Sequence, residues 1–381
     1  MIFTIYLTTD CNFKCTYCYE NFKQHLTLKE DDAFKIVDYI MNFTQDKVSI
    51  VFLGGEPLLQ KNVIFSIINY INSNYADRKV NYMMTTNASL INKEVLEMLE
   101  DENFQLRISI DGNRYTHELN RKSKNGIRYF DKILHNLGEL KRRNIRYTAR
   151  MTVTNETLPY LYENIKWFTE NNIKSIFIGL DNNGVFTEQE FRILDSQLES
   201  ISEFYIQQYK KGDPISISQF DGVFLKMLWK FNLNFGMCSA GRDTFKILPN
   251  LDIYPCEYVV DNPHFRIGNI NEGIDFKKSV DLAYENFEKG QTREDCHECK
   301  IADYCYQMKC GYSNYVKTGK INIPCDSDCR IERINYKHAK KVLLFLAKEK
   351  NDILYEYIKY VKDRYNLSDL GLEVEQLLEY K

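Results

Sequence analysis

From Ile2 to about Leu180, short runs rich in β-branched and aromatic residues alternate with stretches whose apolar residues recur at helical spacing. The runs Ile2–Leu7, Val48–Leu53, Val80–Thr85, Leu106–Ile110, Tyr147–Val153 and Ser175–Leu180 predict six strands. Between the first two, Thr27 and Glu30 form a capping-box pattern ahead of Phe34, Val37, Ile40 and Met41, which share one helical face. Leu158, Leu161, Ile165 and Phe168 make a similar stripe. Six strands each followed by a helix predict a parallel sheet with right-handed crossovers, either doubly wound or a partial barrel. Both arrangements place chemistry at the C-terminal ends of the strands.

Polar stretches at 181–186 and 212–219 bracket a further helix and mark the exit from this first region. Phe245–Leu248 and Ile253–Pro255, joined through Pro249, Asn250, Leu251 and Asp252, predict a β-hairpin ending at Cys256. Leu354, Ile358, Val361 and Tyr365 predict a structural helix near the end. The chain is thus read as a parallel α/β region, doubly wound or a partial barrel, with following helices over 1–230, a cysteine-rich domain over 231–330 and a helical segment over 331–381.

Composition narrows the function classes. Fifty Lys and Arg against 53 Asp and Glu leave a net charge of −3, so no global positive field points to nucleic acid or an anionic membrane. The first apolar stretch is too short for a span and has no basic lead-in, which argues against a signal peptide and for the cytoplasm. The 11 cysteines are placed unevenly: Cys11, Cys15 and Cys18 near the start, and eight between Cys238 and Cys329. In a reducing compartment clustered thiols are more often metal ligands than disulfides, and three plus eight suggests three metal sites.

Cys11-x3-Cys15-x2-Cys18 follows the first strand directly, so three thiolates meet at that strand's C-terminal end. A closed zinc or iron–sulfur site takes four protein ligands, whereas a four-iron cluster on three cysteines leaves one iron open. A zinc knuckle with a distant fourth ligand is the alternative.

Asp10-Cys11-Asn12-Phe13-Lys14-Cys15-Thr16-Tyr17-Cys18 resembles the signature of the radical S-adenosylmethionine (SAM) enzymes, including aromatic Tyr17 before the third cysteine. The resemblance implies that the open iron chelates SAM and that an injected electron releases a 5′-deoxyadenosyl radical, the protein orienting the cofactor. Gly54-Gly55-Glu56-Pro57 resembles the family's glycine-rich motif for the SAM ammonium, the glycines allowing close main-chain approach to the ligand. Thr86 and Asn87 end the third strand, and Ser109 and Asp111 end the fourth on one alternating face; the resemblance assigns them to the SAM ribose and neighbouring groups. Arg150, on a face with Thr148 and Thr152, is a fork donor for the SAM carboxylate or one half of a rim salt bridge.

Cys296-x2-Cys299-x5-Cys305-x4-Cys310, with Cys238 and Cys256 before it and Cys325 and Cys329 after, resembles the SPASM extension of radical SAM peptide-modifying enzymes. That resemblance implies two auxiliary clusters, hence three 4Fe-4S clusters in all. It places Cys238, Cys256 and Cys310 on the inner auxiliary cluster. Cys296, Cys299, Cys305 and one of Cys325 or Cys329 fall on the outer one, Cys329 being preferred because it is expected to open a helix. Cys325 then closes the inner cluster or stays free. Two departures stand out: x4 rather than x3 between Cys305 and Cys310, and Leu251 where the family usually has glycine.

The group resembled includes cysteine-rich peptide maturases and anaerobic sulfatase-maturing enzymes. It implies a cysteine-containing precursor peptide as substrate, thioether formation from a substrate cysteine, and a flavodoxin or ferredoxin as electron donor. The other readings are a formylglycine-generating maturase and, as a non-enzyme, a zinc-binding interaction module. Glu257 follows Cys256 where sulfatase-maturing relatives carry a carboxylate that takes the substrate proton; its plain alternative is a solvated strand-end acid. The chain begins at the first strand, so leader recognition is expected from the barrel, the C-terminal helices or a separate protein.

Overall fold

The structure, a computed structural model, describes residues 1–20, 24–102, 104–181, 184–228, 238–284, 296, 298–307 and 310–365. The expected domain boundary at 230/231 lies outside them. In chain order the elements begin β1 (Ile2–Tyr6), β2 (Phe13–Cys15), α1 (Glu30–Phe43), β3 (Val48–Leu53), α2 (Lys61–Asn74), β4 (Val80–Thr86), α3 (Lys93–Asp101), β5 (Phe104–Ser109), α4 (Arg114–Asn120), β6 (Arg121–Ser123) and α5 (Phe130–Arg142). There follow β7 (Tyr147–Val153), α6 (Leu161–Glu170), β8 (Ser175–Leu180), α7 (Glu188–Lys210), β9 (Ser216–Ile217), α8 (Ser218–Leu228), β10 (Thr244–Ile247) and β11 (Asp252–Tyr254). The last are β12 (Gly268–Asn269), β13 (Gly273–Ile274), α9 (Phe276–Ala283), α10 (Gly311–Thr318), α11 (Asp326–Lys348) and α12 (Asp352–Tyr365). No described helix is long and apolar enough to cross a membrane.

The chain divides into two units. The first comprises Met1–Ile110, His117–Thr148 and Cys238–Glu285. Its strands run in the order β13-β12-β11-β10-β1-β3-β4-β5. β1, β3, β4 and β5 are parallel neighbours, and β10 adds to β1 in parallel before the sheet turns antiparallel. Alternation sets the faces: Val48, Ile50 and Phe52 are buried in β3 while the residues between them are partly open. Ala33, Ile36, Val37, Ile40 and Met41 form the buried stripe of α1, and Val63, Ile64, Ile67, Ile68 and Ile71 that of α2.

Two local expectations are corrected here. Phe34 is only half-buried and stacks on Tyr70 at 4.4 Å, while Ala33 and Ile36 take the core positions beside it. The Thr27–Glu30 capping box does not form: α1 starts from Lys29 with no side-chain cap, and Thr27 bridges Thr8 instead. Acidic Glu30, Asp31 and Asp32 in the first turn answer the helix dipole there. A true capping box stands at Thr187 and Glu190, at the start of α7.

The predicted hairpin is β10–β11, with Lys246 opposite Tyr254 and Ile247 opposite Ile253. Leu251 N–H donates to Leu248 carbonyl at 2.8 Å, and Leu251 adopts φ +71°. Such a left-handed position suits glycine; here a leucine holds it with only 9% of its surface exposed. Leu251→Ala should lower the thermal unfolding midpoint through lost burial. Leu251→Gly should lower it less, because glycine relieves roughly 1 kcal/mol of left-handed strain. At an ordinary strand position glycine is the worse of the two, so a Gly variant melting below the Ala variant would contradict this account.

The second unit comprises Asp111–Thr116, Ala149–Met237 and Asn286–Lys381. It contains the parallel strands β7-β8-β9 and the helices that follow them. The predicted stripe of α6 and its lead-in is buried at Leu158, Leu161, Ile165 and Phe168. α11 lies along α7 through charged pairs: Lys337 and the buried His338 both reach Asp195, and Arg330 pairs with Glu188 while lying 3.9 Å over the Phe191 ring. Leu354 and Ile358 of α12 are buried, as a structural helix requires.

Candidate functional site

In the first unit β1 delivers the chain straight into the cysteine loop, whose backbone is clamped by the loop after β3. Gly55 N–H donates to Thr8 carbonyl and Glu56 N–H to Asp10 carbonyl, each at 2.9 Å. A Cβ on Gly54, which has φ +143°, would sit 2.2 Å from the Thr8 carbonyl oxygen, and one on Gly55 would sit 2.3 Å from that of Asp10. The close approach these glycines permit is therefore to the backbone of Thr8–Cys11. Pro57 starts the one-turn helix that follows, and Leu58 N–H is capped by Glu56.

The Glu56 carboxylate is buried and takes three protein donors: Thr86 hydroxyl at 2.6 Å, Asn87 N–H at 2.8 Å and Leu58 N–H at 3.1 Å. Burial pushes its pKa up to about 7 against those hydrogen bonds. Asn87 also donates from Nδ2 to Asn12 Oδ1 at 2.9 Å, and Asn12 Nδ2 donates to Ser89 Oγ at 2.9 Å. Asn12 and Ser89, which the sequence reading missed, thus tie the span between Cys11 and Cys15 to the end of β4. The signal was the Asn-x-Ser pair just beyond a predicted strand.

Cys15 ends β2, which pairs antiparallel with β6, opposite Arg121. Cys18 N–H donates to Cys15 carbonyl at 3.2 Å, a turn that brings these two cysteines round together. Arg121 places its guanidinium 5.4 Å from the Tyr17 ring centroid, and Thr16 hydroxyl donates to Asn120 Oδ1 at 2.8 Å. Phe13 N–H donates to Cys11 Sγ at 3.3 Å. Burial pushes the Cys11 thiol up to about 12 and raises Cys18 as well. A metal centre bound here would displace those protons, since thiolates are the ligands. Three soft sulfur donors on one clamped loop are the donor set of an iron–sulfur cluster with an open iron, while among the described residues no three such groups stand close enough to hold a single metal ion.

Ser109, half-buried, ends β5 in the first unit. Asp111 and Arg150 belong to the second. Asp111 is buried, and its Oδ1 accepts from Thr152 N–H of β7 at 2.9 Å. Gly112 follows with φ +110°, and a Cβ there would collide with Asn164 of α6 at 2.2 Å. Asn164 Oδ1 accepts from Asn113 N–H at 3.0 Å and Thr116 hydroxyl at 2.9 Å, so this buried amide shapes the turn. Its signal was a polar residue on the apolar stripe of α6. Arg150 is half-buried, with its guanidinium 5.9 Å from the Phe177 ring.

Of the later cysteines, Cys238 and Cys256 lie in the first unit and Cys296, Cys299, Cys305, Cys310, Cys325 and Cys329 in the second. Cys256 is buried, which raises its thiol pKa well above the ordinary value. Glu257 Oε2 lies 3.9 Å from the Cys256 sulfur and 3.1 Å from Lys246 Nζ, and Lys246 also donates to Thr4 Oγ1 at 3.1 Å. Tyr258 meets Tyr19, the residue after Cys18, with ring centroids 6.2 Å apart. Burial, joined by Glu20, Tyr19, Glu257 and Cys256, pushes the Tyr6 phenol at the end of β1 well above its ordinary pKa. The Cys256–Glu257 segment therefore borders the triad loop. In the second unit Cys299 N–H donates to Cys296 carbonyl at 3.3 Å, and Cys310 caps α10. Cys325, not Cys329, is the N-cap of α11; Cys329 lies one turn inside, its N–H on the Cys325 carbonyl at 3.1 Å. The acidic first turn, Asp326 and Asp328, starts the helix earlier than expected.

A parallel α/β sheet whose first strand opens into a three-cysteine loop, clamped by a Gly-Gly-Glu-Pro turn, defines the class of protein. Residues 5–168 match the model of the Radical SAM superfamily, and the chain carries a Radical SAM domain. Such a domain implies a 4Fe-4S cluster and SAM. An uncharacterized protein of Methanocaldococcus jannaschii, MJ0907, is 36% identical over 174 residues, which is 46% of this chain and only 60% of that protein. A cysteine-type anaerobic sulfatase-maturating enzyme of Clostridium perfringens is 25% identical over 344 residues, spanning 84% of this chain and 92% of that enzyme. Among solved structures, native anSMEcpe with bound AdoMet and Kp18Cys peptide superposes with a TM-score of 0.78 at 21% identity. The match covers 92% of this chain and 100% of that one, a likeness of fold that includes the radical SAM partial barrel.

Proposed function

We propose that this chain is a radical SAM enzyme that oxidises a cysteine-containing peptide or protein, forming a thioether crosslink from the substrate cysteine. The observation that supports it is the contact of Tyr258, the residue after Glu257, with Tyr19, the residue after Cys18. Cys11, Cys15 and Cys18 hold the SAM-binding cluster. Cys238 and Cys256 in the first unit, and Cys296, Cys299, Cys305, Cys310 and Cys329 in the second, supply ligands to two auxiliary clusters. When bound and reduced, the SAM-loaded cluster would supply a 5′-deoxyadenosyl radical to take a hydrogen atom from a substrate carbon, and an auxiliary cluster would accept the one electron left over as the carbon–sulfur bond forms. Glu257, oriented by Lys246, takes the proton of the substrate thiol. Asn12, Asn87 and Ser89 keep the loop in place. A reducing cytoplasm suits this chemistry.

A second reading, formylglycine formation, is favoured by the near full-length similarity to a cysteine-type sulfatase-maturating enzyme. High-resolution mass spectrometry of a cysteine-containing peptide before and after reaction separates the two. A thioether product is lighter by two hydrogens per crosslink, and its cysteine resists alkylation. Loss of sulfur with a hydrazide-reactive aldehyde would replace the first reading by the second. Protein prepared without oxygen that held stoichiometric zinc and little iron would sink both and restore the zinc-binding module.

A further inference from the structure

The β2–β6 ribbon carries a triad cysteine on one side and lysines on the other. Its register sets Phe13 opposite Ser123, Lys14 opposite Lys122 and Cys15 opposite Arg121. Side chains alternate along a strand, so Phe13 and Cys15 share one face while Lys14 and Lys122 share the other. Burial agrees: Phe13 is 5% exposed, whereas both lysines lie open to solvent. Lys124 continues the alternation on the open side, and its N–H donates to Asn12 carbonyl at 2.9 Å. Ile127, 56% exposed, adjoins them, held through Ser123 Oγ donating to its carbonyl at 2.6 Å.

Like charges directly opposite one another on antiparallel strands are destabilising. Among the described residues no carboxylate lies within ion-pair distance of Lys14, Lys122 or Lys124. The nearby Arg128 is paired to Glu118 at 3.1 Å. The whole chain is slightly acidic, so this patch does not reflect a generally basic surface. Three ammonium groups without a carboxylate partner among the described residues, around an exposed isoleucine on an open two-stranded face, fit an acidic protein surface. The ribbon is one backbone thick, so a partner seated on its lysine face lies directly behind Cys15.

We propose that Lys14, Lys122, Lys124 and Ile127 form the docking face for an acidic one-electron carrier protein that reduces the triad cluster. This rests on the reading of the triad as the SAM cluster site. The carrier is oxidised by one electron, and that electron breaks the C5′–S bond of SAM to give methionine and the adenosyl radical.

The test uses the full, cluster-loaded enzyme without peptide and follows both 5′-deoxyadenosine and direct flavodoxin binding, which the lysine variants should weaken. Reduced flavodoxin serves as the protein donor, and reduced methyl viologen as a small cationic reductant that needs no docking face. The combined Lys14→Glu, Lys122→Glu and Lys124→Glu variant should lose at least about tenfold of its flavodoxin-driven rate at low salt, together with the salt dependence of that rate. Its methyl viologen rate should stay within about twofold. Should charge reversal disturb the loop, the triple Lys→Gln variant decides, with a smaller flavodoxin-specific loss. An unchanged flavodoxin rate, or an equal loss with both reductants in the Gln variant, would overturn the proposal. Failure of the unaltered enzyme to cleave SAM with methyl viologen would instead remove the SAM reading itself, and this proposal with it.

Discussion

Cys15→Ala is expected to reduce SAM cleavage to background while the auxiliary clusters remain. Cys15 ends the ribbon strand β2, and its sulfur is one of only three triad donors. Alanine leaves the β2–β6 pairing intact, because that pairing is made by backbone groups. If the triad holds the SAM-binding cluster as proposed, loss of one of its three ligands removes that cluster. The cysteines proposed as auxiliary ligands lie in other segments, so the two losses should separate. Anaerobic iron and sulfide analysis should show roughly a third of the iron gone, from three clusters to two. Continued 5′-deoxyadenosine formation under reductant would show that the triad is not the SAM site.

The other large effect is expected at Glu257. Glu257→Gln keeps the side chain's size but cannot accept a proton, and product formation should fall by about 10²- to 10⁴-fold, the range of general base catalysis. Lys246 loses the carboxylate 3.1 Å from its ammonium yet keeps Thr4 as an acceptor, so the strand should hold. SAM cleavage and iron content should persist, which separates a lost proton acceptor from a damaged site. Unimpaired turnover would remove Glu257 from the mechanism.

The radical SAM class was legible because its motifs depend on residue type at fixed spacing. Cys11, Cys15 and Cys18 directly after a β-rich run, and Gly54-Gly55-Glu56-Pro57 after another, can be read before any contact is known. The strands were legible too: Val48–Leu53, Tyr147–Val153 and Ser175–Leu180 appear with the ends read from their apolar alternation. Local side-chain competition was not. Thr27 had a capping pattern, but its hydroxyl went to Thr8 across 18 intervening residues, a partner that no window reveals.

Periodicity and ligand spacing by themselves determined the parallel α/β class, the three-cysteine loop at the end of the first strand and the cysteine-rich later region, because each follows from order along the chain. Tertiary structure decided what the glycines clear and what the acids touch. Gly54 and Gly55 yield to the backbone of Thr8–Cys11, Glu56 is consumed by Thr86, Asn87 and Leu58, and Glu257 meets Lys246 while its neighbour Tyr258 meets Tyr19. Leu58 and Lys246 apart, those partners are separated by tens to hundreds of residues and are joined by sheet register, which places β10 beside β1.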